Sequence, residues 1–139
     1  MPAPGSAAAP LPDDPTAVAQ IRLEDAVARA TAELSRDLMV RAIVVFTGTG
    51  WSAGMVAAAR PQAPIIAVSA NAGTRRRTNL LWGVVPMAGD LTDPALLHEE
   101  ARRVARDSGL ALEGEHILRV WGFHSEPRLN VPTLSVLRV

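Results

Sequence analysis

The 139-residue chain contains no cysteine, no tyrosine and no lysine, so that all fourteen of its basic residues are arginine. The lack of cysteine excludes disulfides, thiolate catalysis and thiolate metal ligands. The lack of lysine excludes a Schiff-base amine and the lysine of a nucleotide-binding P-loop. The lack of tyrosine means that no phenol can act as a general acid or base. Catalysis by a thiolate, by a lysine amine or by a phenol is therefore excluded.

The sequence also lacks an excess of either charge and any long apolar run. Fourteen acidic residues balance the fourteen arginines, which argues against nucleic acid or an acidic membrane surface as a partner. No stretch approaches the roughly 18 apolar residues that a membrane-spanning helix requires. Residues 1–12 lack the charged and apolar regions of a secretory signal. We therefore expect a cytoplasmic protein with no membrane or nucleic-acid partner.

What the chain does contain suits the core of one domain, since 48% of its residues are hydrophobic. We expect a flexible N-terminal tail over residues 1–13 and one domain over residues 14–139. An acidic cap followed by proline predicts a helix start at Asp13, Asp14 and Pro15. Spacings of three and four residues predict that this helix continues to about residue 39, with one buried apolar face formed by Leu23, Val27, Ala30, Leu34 and Leu38.

Five short apolar runs predict β-strands, and helical patterns lie between the first four of them. The last two runs are joined by too few residues for a crossover helix, which favours an antiparallel hairpin. This order predicts an α/β fold: a three-layer α/β/α sandwich around a mostly parallel five-stranded sheet whose last strand is antiparallel. The predicted strands are 42–46, 64–68, 83–87, 116–121 and 133–139, and the predicted helices between them are 53–60, 74–81 and 93–108.

Five segments together resemble one protein family. Residues 41–53 resemble its segment AIVVLT-x-SG-x-SA, and residues 59–68 resemble YRP-xx-PIIAVT. Shorter matches follow in the same order: 83–86 to GV-x-P, 114–122 to GD-VVV…G, and 133–136 to T-x-x-V. Through these pieces, about residues 18–139 resemble the C-terminal domain of pyruvate kinase.

The resemblance implies a domain for allosteric control and subunit contact. In that family the phosphoenolpyruvate, ADP and metal sites lie on a separate (β/α)8 barrel of about 200 residues or more, for which 139 residues leave no room. We therefore expect a non-catalytic regulatory or assembly domain without a cofactor. The family pairs through its helices and last strand, and residues 134–139 form an apolar strand that invites such pairing, so we also expect a homodimer.

One loop has the features of an anion site, since it follows the first predicted strand and precedes a helix. Its glycines allow close approach of the backbone, its hydroxyls can donate, and the helix offers free N–H groups. The resemblance implies the same, because many family members bind the phosphate of a sugar-phosphate activator here. We predict a phosphorylated effector at Thr47, Gly48, Thr49, Gly50, Trp51 and Ser52, with His124 and Arg128 as further contacts.

Other interpretations stay open from the sequence. The 47–52 loop could be a capped strand-to-helix turn without a ligand. Gly48, Gly50 and Ala53 also fit the dinucleotide fingerprint, and the arginines at 75–77 could accept a 2′-phosphate, which would make the chain an NADP- or nucleotide-binding Rossmann-like protein. A small enzyme of unknown reaction could use the same cleft. We predict no catalytic and no metal-binding residue, since no nucleophile elbow, matched acid–base pair or histidine spacing for a metal is present.

Overall fold

A computed structural model describes residues 21–89 and 93–139. In these ranges one sheet runs in the order β3-β2-β1-β4-β5, parallel throughout except for the antiparallel β4–β5 pair. The mostly parallel five-stranded sheet and its terminal hairpin are therefore confirmed. The strands are β1 (Ile43–Phe46), β2 (Ile65–Val68), β3 (Val84–Met87), β4 (His116–Trp121) and β5 (Thr133–Arg138).

Helices cover both faces of this sheet, which confirms the predicted three-layer α/β/α sandwich. Side chains of α1 and α2 pack on one face, and α4 packs on the other. Two short 3-10 turns, Pro94–Leu96 and Pro127–Leu129, stand before α4 and inside the β4–β5 connection. Within the described ranges the α-helices are α1 (Leu23–Asp37), α2 (Trp51–Ala58), α3 (Ala72–Thr78) and α4 (Leu97–Asp107).

Strand β1 lies at the centre of the sheet and is buried on both faces. Ile43 and Val45 join the core beneath α1 and α2, whereas Val44 and Phe46 join the core beneath α4. A strand whose two faces both pack against helices must be apolar at every position, and this explains the unbroken Ile-Val-Val-Phe run.

The predicted buried face of α1 is right only in part. Leu34 packs against the core and Val27 is half-buried, whereas Leu23 and Leu38 are half exposed and Ala30 is exposed. The stripe that packs inward consists of small residues, which let the helix approach the sheet closely: Ala28, Thr31, Ala32 and Ser35. The two buried hydroxyls donate to carbonyls of the same helix, Thr31 to Val27 and Ser35 to Ala32, both at 2.7 Å, so they cost little to bury.

Two helices begin earlier than predicted because of their first residues. Gly50 adopts φ +97° and turns the chain directly into α2 at Trp51. Asn71 caps α3, since its Oδ1 accepts a hydrogen bond from the Thr74 N–H at 3.0 Å. The expected tail over residues 1–13 and the helix start at Asp13–Pro15 lie outside the described residues. None of the helices in the described ranges combines the length and the apolar character needed to span a bilayer.

Glu115 ties the start of β4 to the start of β1, and this contact generates a pH prediction. Its carboxylate accepts hydrogen bonds from Arg41 Nε and, at 2.7 Å, from the Leu112 N–H. These bonds, the one from Arg41 foremost, lower the pKa of Glu115 because they favour the charged form. A carboxyl with a lowered pKa stabilises the fold above the pKa of the unfolded chain, and that contribution is lost as the pH falls through the folded value.

We therefore expect Glu115→Gln to have a lower Tm than the natural chain at neutral pH. The difference shrinks as the pH falls below about 4, where the carboxyl of the natural chain also becomes protonated. Thermal unfolding followed by circular dichroism across this pH range measures it, with Glu113→Gln, an exposed neighbour, as the control. A Tm difference that stays constant down to acid pH would contradict the assignment.

Arg119 is a buried charge in the middle of β4. Its residue is 6% exposed, its guanidinium donates to Ser135 Oγ at 2.7 Å, and its Nε meets no acceptor. Burial accordingly lowers the pKa of Arg119. Among the ion pairs of residues 21–89 and 93–139, none involves this side chain. A buried guanidinium with so few partners is expected to cost stability.

Replacing this arginine by an apolar side chain of similar length tests that cost. We expect Arg119→Met to raise the free energy of unfolding by about 1 kcal/mol, because the desolvated charge is removed. Urea unfolding gives the value, and Arg106→Met, which removes an exposed arginine, is the control. If Arg119→Met lowers the free energy of unfolding by more than Arg106→Met does, the buried guanidinium stabilises the sheet and the prediction is wrong.

Candidate functional site

The 47–52 loop leaves the central strand at the carboxyl edge of the sheet and closes on itself. The Thr47 N–H still pairs with the Val68 carbonyl at 3.0 Å, so the loop begins one residue beyond β1. The Thr47 hydroxyl oxygen then accepts from the Gly50 N–H at 2.8 Å, and that of Thr49 accepts from the Trp51 N–H at 3.3 Å. Both hydroxyl hydrogens remain available to donate, because the threonine oxygens act as acceptors in the turn.

Ser52, in the first turn of α2, differs from the two threonines because its hydroxyl takes no part in closing the turn. The residue is 7% exposed, and the hydrogen bonds within the loop and between the loop and α3 do not involve its hydroxyl. It lines both of the cavities that border the loop. The N–H groups of a first helical turn also lack partners within their own helix. The Ser52 hydroxyl and the first turn of α2 thus border the same space.

Helix α3 holds the back of the loop. Thr74 Oγ1 donates to the Gly48 carbonyl at 2.8 Å, and the Arg77 guanidinium donates to the Thr49 carbonyl at 3.3 Å and to Thr74 Oγ1 at 2.9 Å. A Cβ on Gly50 would approach Thr78 Cγ2 to 3.2 Å. These contacts fix the carbonyl oxygens on the α3 side and bring one positive charge to the loop.

The arginine run at 75–77 therefore does more than form a solvated helix face. Arg75 donates to the Ser69 carbonyl at 2.7 Å, and Arg77 contacts the loop as described above. Arg76 is exposed. The sequence left open that these arginines accept a 2′-phosphate, and Arg77 is the member of the run that lies beside the loop.

The connection between β4 and β5 forms the opposite wall of the site. Its shape depends on Asn130, whose Oδ1 accepts from the His124 N–H at 3.0 Å and whose Nδ2 donates to Glu24 of α1 at 3.1 Å. His124 Nδ1 accepts from the Glu126 N–H at 2.9 Å, which places the imidazole proton on Nε2 as a free donor. The rings of Trp51 and Phe123 meet edge to face, with centroids 6.2 Å apart.

Two adjoining cavities lie between these walls. We call the first, of about 290 Å³, the polar cavity, since it is lined by Thr47, Gly48, Thr49, Trp51, Ser52 and residues 123–125. We call the second, of about 280 Å³, the apolar cavity, since it adds Phe46, Trp121, Gly122, Leu129 and Val131. The two share Gly48, Ser52, Phe123 and His124, and they therefore lie side by side.

The structure brings most of the predicted site residues to this space, but not all of them. Gly50 lines neither cavity and serves as the left-handed cap of α2. The Arg128 side chain is 87% exposed, points toward Glu126 at 3.4 Å and also lines neither cavity. The apolar cavity was missed, because Phe46 and Trp121 belong to separate strands. Groups of three or more potential metal ligands are absent from the described ranges.

Comparison with known proteins agrees with this architecture. The family "Pyruvate kinase, alpha/beta domain" matches residues 25–137. A pyruvate kinase of Agrobacterium vitis is 35% identical over 99 residues, which are 70% of this chain and 21% of that protein. The pyruvate kinase of Bacillus licheniformis is 35% identical over 99 residues, 69% of this chain and 17% of that protein.

A third relative is the pyruvate kinase of Geobacillus stearothermophilus, which is 37% identical over 106 residues, 74% of this chain and 18% of that protein. The chain thus spans only about a fifth of the length of these curated relatives. The family match covers the chain from α1 to the end of β5, including both walls of the site. The chain belongs to the family of the pyruvate kinase α/β domain.

Proposed function

We propose that this chain is a non-catalytic regulatory and assembly domain that binds the phosphate group of a metabolite at the 47–52 loop. The observation that carries the proposal is Ser52, which is 7% exposed, lines the polar cavity and makes no side-chain hydrogen bond to the rest of the described loop. Its hydroxyl can therefore donate a hydrogen bond to a ligand in that cavity. A cytoplasmic location is part of the same proposal and stays a prediction.

The electrostatics of the polar cavity support an anion. Its lining residues include no carboxylate, the N-terminus of α2 opens into it, and Arg77 stands behind Thr49. Glu126, which by sequence would oppose an anion, pairs with Arg128 away from the cavity. The site thus keeps its hydrogen-bond donors and is free of the carboxylate that would repel a phosphate.

The alternative functions have weaker support. For NADP, Arg75 and Arg77 would have to give up the carbonyl oxygens of Ser69 and Thr49 to reach a 2′-phosphate. For an enzyme, His124 is the sole ionisable side chain among the residues that line the two cavities, which leaves it without an acid–base partner. Phosphate recognition without catalysis therefore fits these residues best.

Inorganic phosphate is the direct probe of the proposed site. We expect it to raise the Tm by an amount that grows with the logarithm of the phosphate concentration above the dissociation constant, with about 1.4 kcal/mol of stabilisation at ten times that constant. Ser52→Asp should abolish this protection, because a carboxylate then occupies the anion position, while a negative charge in the first turn of α2 still suits the helix dipole. Differential scanning fluorimetry at constant ionic strength, with chloride as the reference anion, measures both.

The matched control is Gln62→Glu, which changes the net charge by the same amount on an exposed residue just before β2, at the opposite edge of the sheet. It should keep the full response to phosphate. An undiminished response in Ser52→Asp, or none in the natural chain, would contradict phosphate binding at this loop.

The assembly part of the proposal is supported by β5. Within the described ranges it is an edge strand that pairs with β4 alone, and Val136 on it is 47% exposed. An apolar edge strand favours pairing with a second copy. Leu23 in α1 and Leu38, which follows α1, add to the exposed apolar surface.

We expect light scattering at micromolar concentration to give twice the 14.7 kDa mass of the chain. Val136→Lys should shift the protein to the monomer, because a lysine on an edge strand opposes strand pairing. Leu80→Lys, at an 85% exposed site before the opposite edge strand, should remain dimeric. A monomeric natural chain, or a dimer that both substitutions leave intact, would argue against pairing through β5.

A further inference from the structure

The aromatic residues of this chain are concentrated at the proposed phosphate site. The sequence has three tryptophans and two phenylalanines, and all of them except Trp82 line the polar or the apolar cavity. They come from three separate parts of the fold: Phe46 from β1, Trp51 from α2, and Trp121 and Phe123 from the end of β4 and its loop. Such a concentration in a chain with 4% aromatic residues indicates a ligand-binding surface.

Three of the side chains that line the apolar cavity are accessible to water. Trp121 is 37% exposed, Leu129 54% and Val131 66%, although all three border a concave space. Gly122 fixes the wall, since it has φ +97° and a Cβ there would lie 2.2 Å from the Val131 carbonyl oxygen. Apolar side chains that remain in contact with water around a preformed cavity are typical of a ligand site.

The charges of the lining residues favour some classes of phosphorylated ligand over others. Neither cavity is lined by an arginine, an aspartate or a glutamate, and the donors Ser52 and His124 lie where the two cavities join. One phosphate can use the loop, but a second phosphate would lie against Phe46, Leu129 and Val131 without a cation. The side chains there that could bond the hydroxyls of a bare sugar are Ser52, His124 and the indole of Trp121, whereas the remaining side chains offer only apolar contact.

We propose that the two cavities bind one ligand, a phosphate monoester that carries an aromatic or heteroaromatic ring, with the phosphate at the 47–52 loop and the ring in the apolar cavity. The proposal rests on the proposed function, because the phosphate is held by the same loop. It adds a specificity: the ring supplies binding energy through contact with the aromatic and aliphatic wall. This distinguishes the ligand from sugar bisphosphates.

The test is calorimetric titration of the full chain with phosphate esters that differ only in the group they carry. Phenyl phosphate and adenosine 5′-monophosphate are the aromatic probes, glucose 6-phosphate and fructose 1,6-bisphosphate are the sugar probes, and inorganic phosphate and adenosine are the fragments. We expect both aromatic esters to bind roughly tenfold or more tightly than inorganic phosphate and than either sugar ester. In a Trp82→Phe background, where Trp51 and Trp121 give the fluorescence, their binding should change the emission.

Substitutions in the wall of the apolar cavity test whether the ring of the ligand binds there. Leu129→Ser with Val131→Ser alters two exposed side chains, so the fold should persist. We expect this double variant to bind phenyl phosphate no better than inorganic phosphate, while its affinity for inorganic phosphate stays unchanged. Leu80→Ser, far from both cavities, should retain the preference for the ring.

The outcomes separate this proposal from the proposed function. If inorganic phosphate and the sugar esters bind as tightly as the aromatic esters, the loop is a phosphate site and the ring specificity is overturned. If adenosine without phosphate binds as tightly as its monophosphate, the ring specificity does not depend on the loop, and the proposal of one joint ligand fails. If no phosphate compound binds, both proposals fail together.

Discussion

The burial of β1 on both faces is the constraint on which the site depends. Residues Ile43–Phe46 are at most 3% exposed, so the strand can only lie between two layers of helices. A chain that emerges from the middle of such a sheet must leave at its edge, next to the neighbouring strands. The 47–52 loop therefore lies between α3, which follows β2, and the connection that follows β4, and both of these segments contact or face it.

This placement makes the loop rigid before any ligand arrives. The turn is closed by its own threonines, its carbonyl oxygens are bound by Thr74 and Arg77, and the wall facing it is tied to α1 through Asn130 and Glu24. Groups held in this way lose little further conformational entropy when a ligand binds. The shape of the site therefore also depends on residues that do not line it, among them Thr74, Arg77 and Asn130.

The sequence predicted the sheet well because each strand is an apolar run between turn signals. Glycines and hydroxyls that follow a strand and precede a helix also placed residues 47–52 at the carboxyl edge of the sheet, where ligand binding stays a prediction. It failed where the outcome depends on neighbours in space. The inward face of α1 consists of alanine, threonine and serine, which a search for large apolar residues passes over. Arg128 turns to Glu126 two residues away, and Arg119 is buried although arginine is usually exposed.

The pairing of Glu126 with Arg128 has a consequence for recognition. The two charges of this connection pair in solvent, and the part of this wall that lines the cavities consists of Gly122, Phe123, His124, Ser125, Leu129 and Val131. An exposed ion pair contributes little stability by itself. Under the proposed function, recognition beyond the phosphate therefore depends on hydrogen bonds from His124 and Ser125 and on apolar contact with this wall. The proposal thus leaves the choice of ligand to the β4–β5 connection.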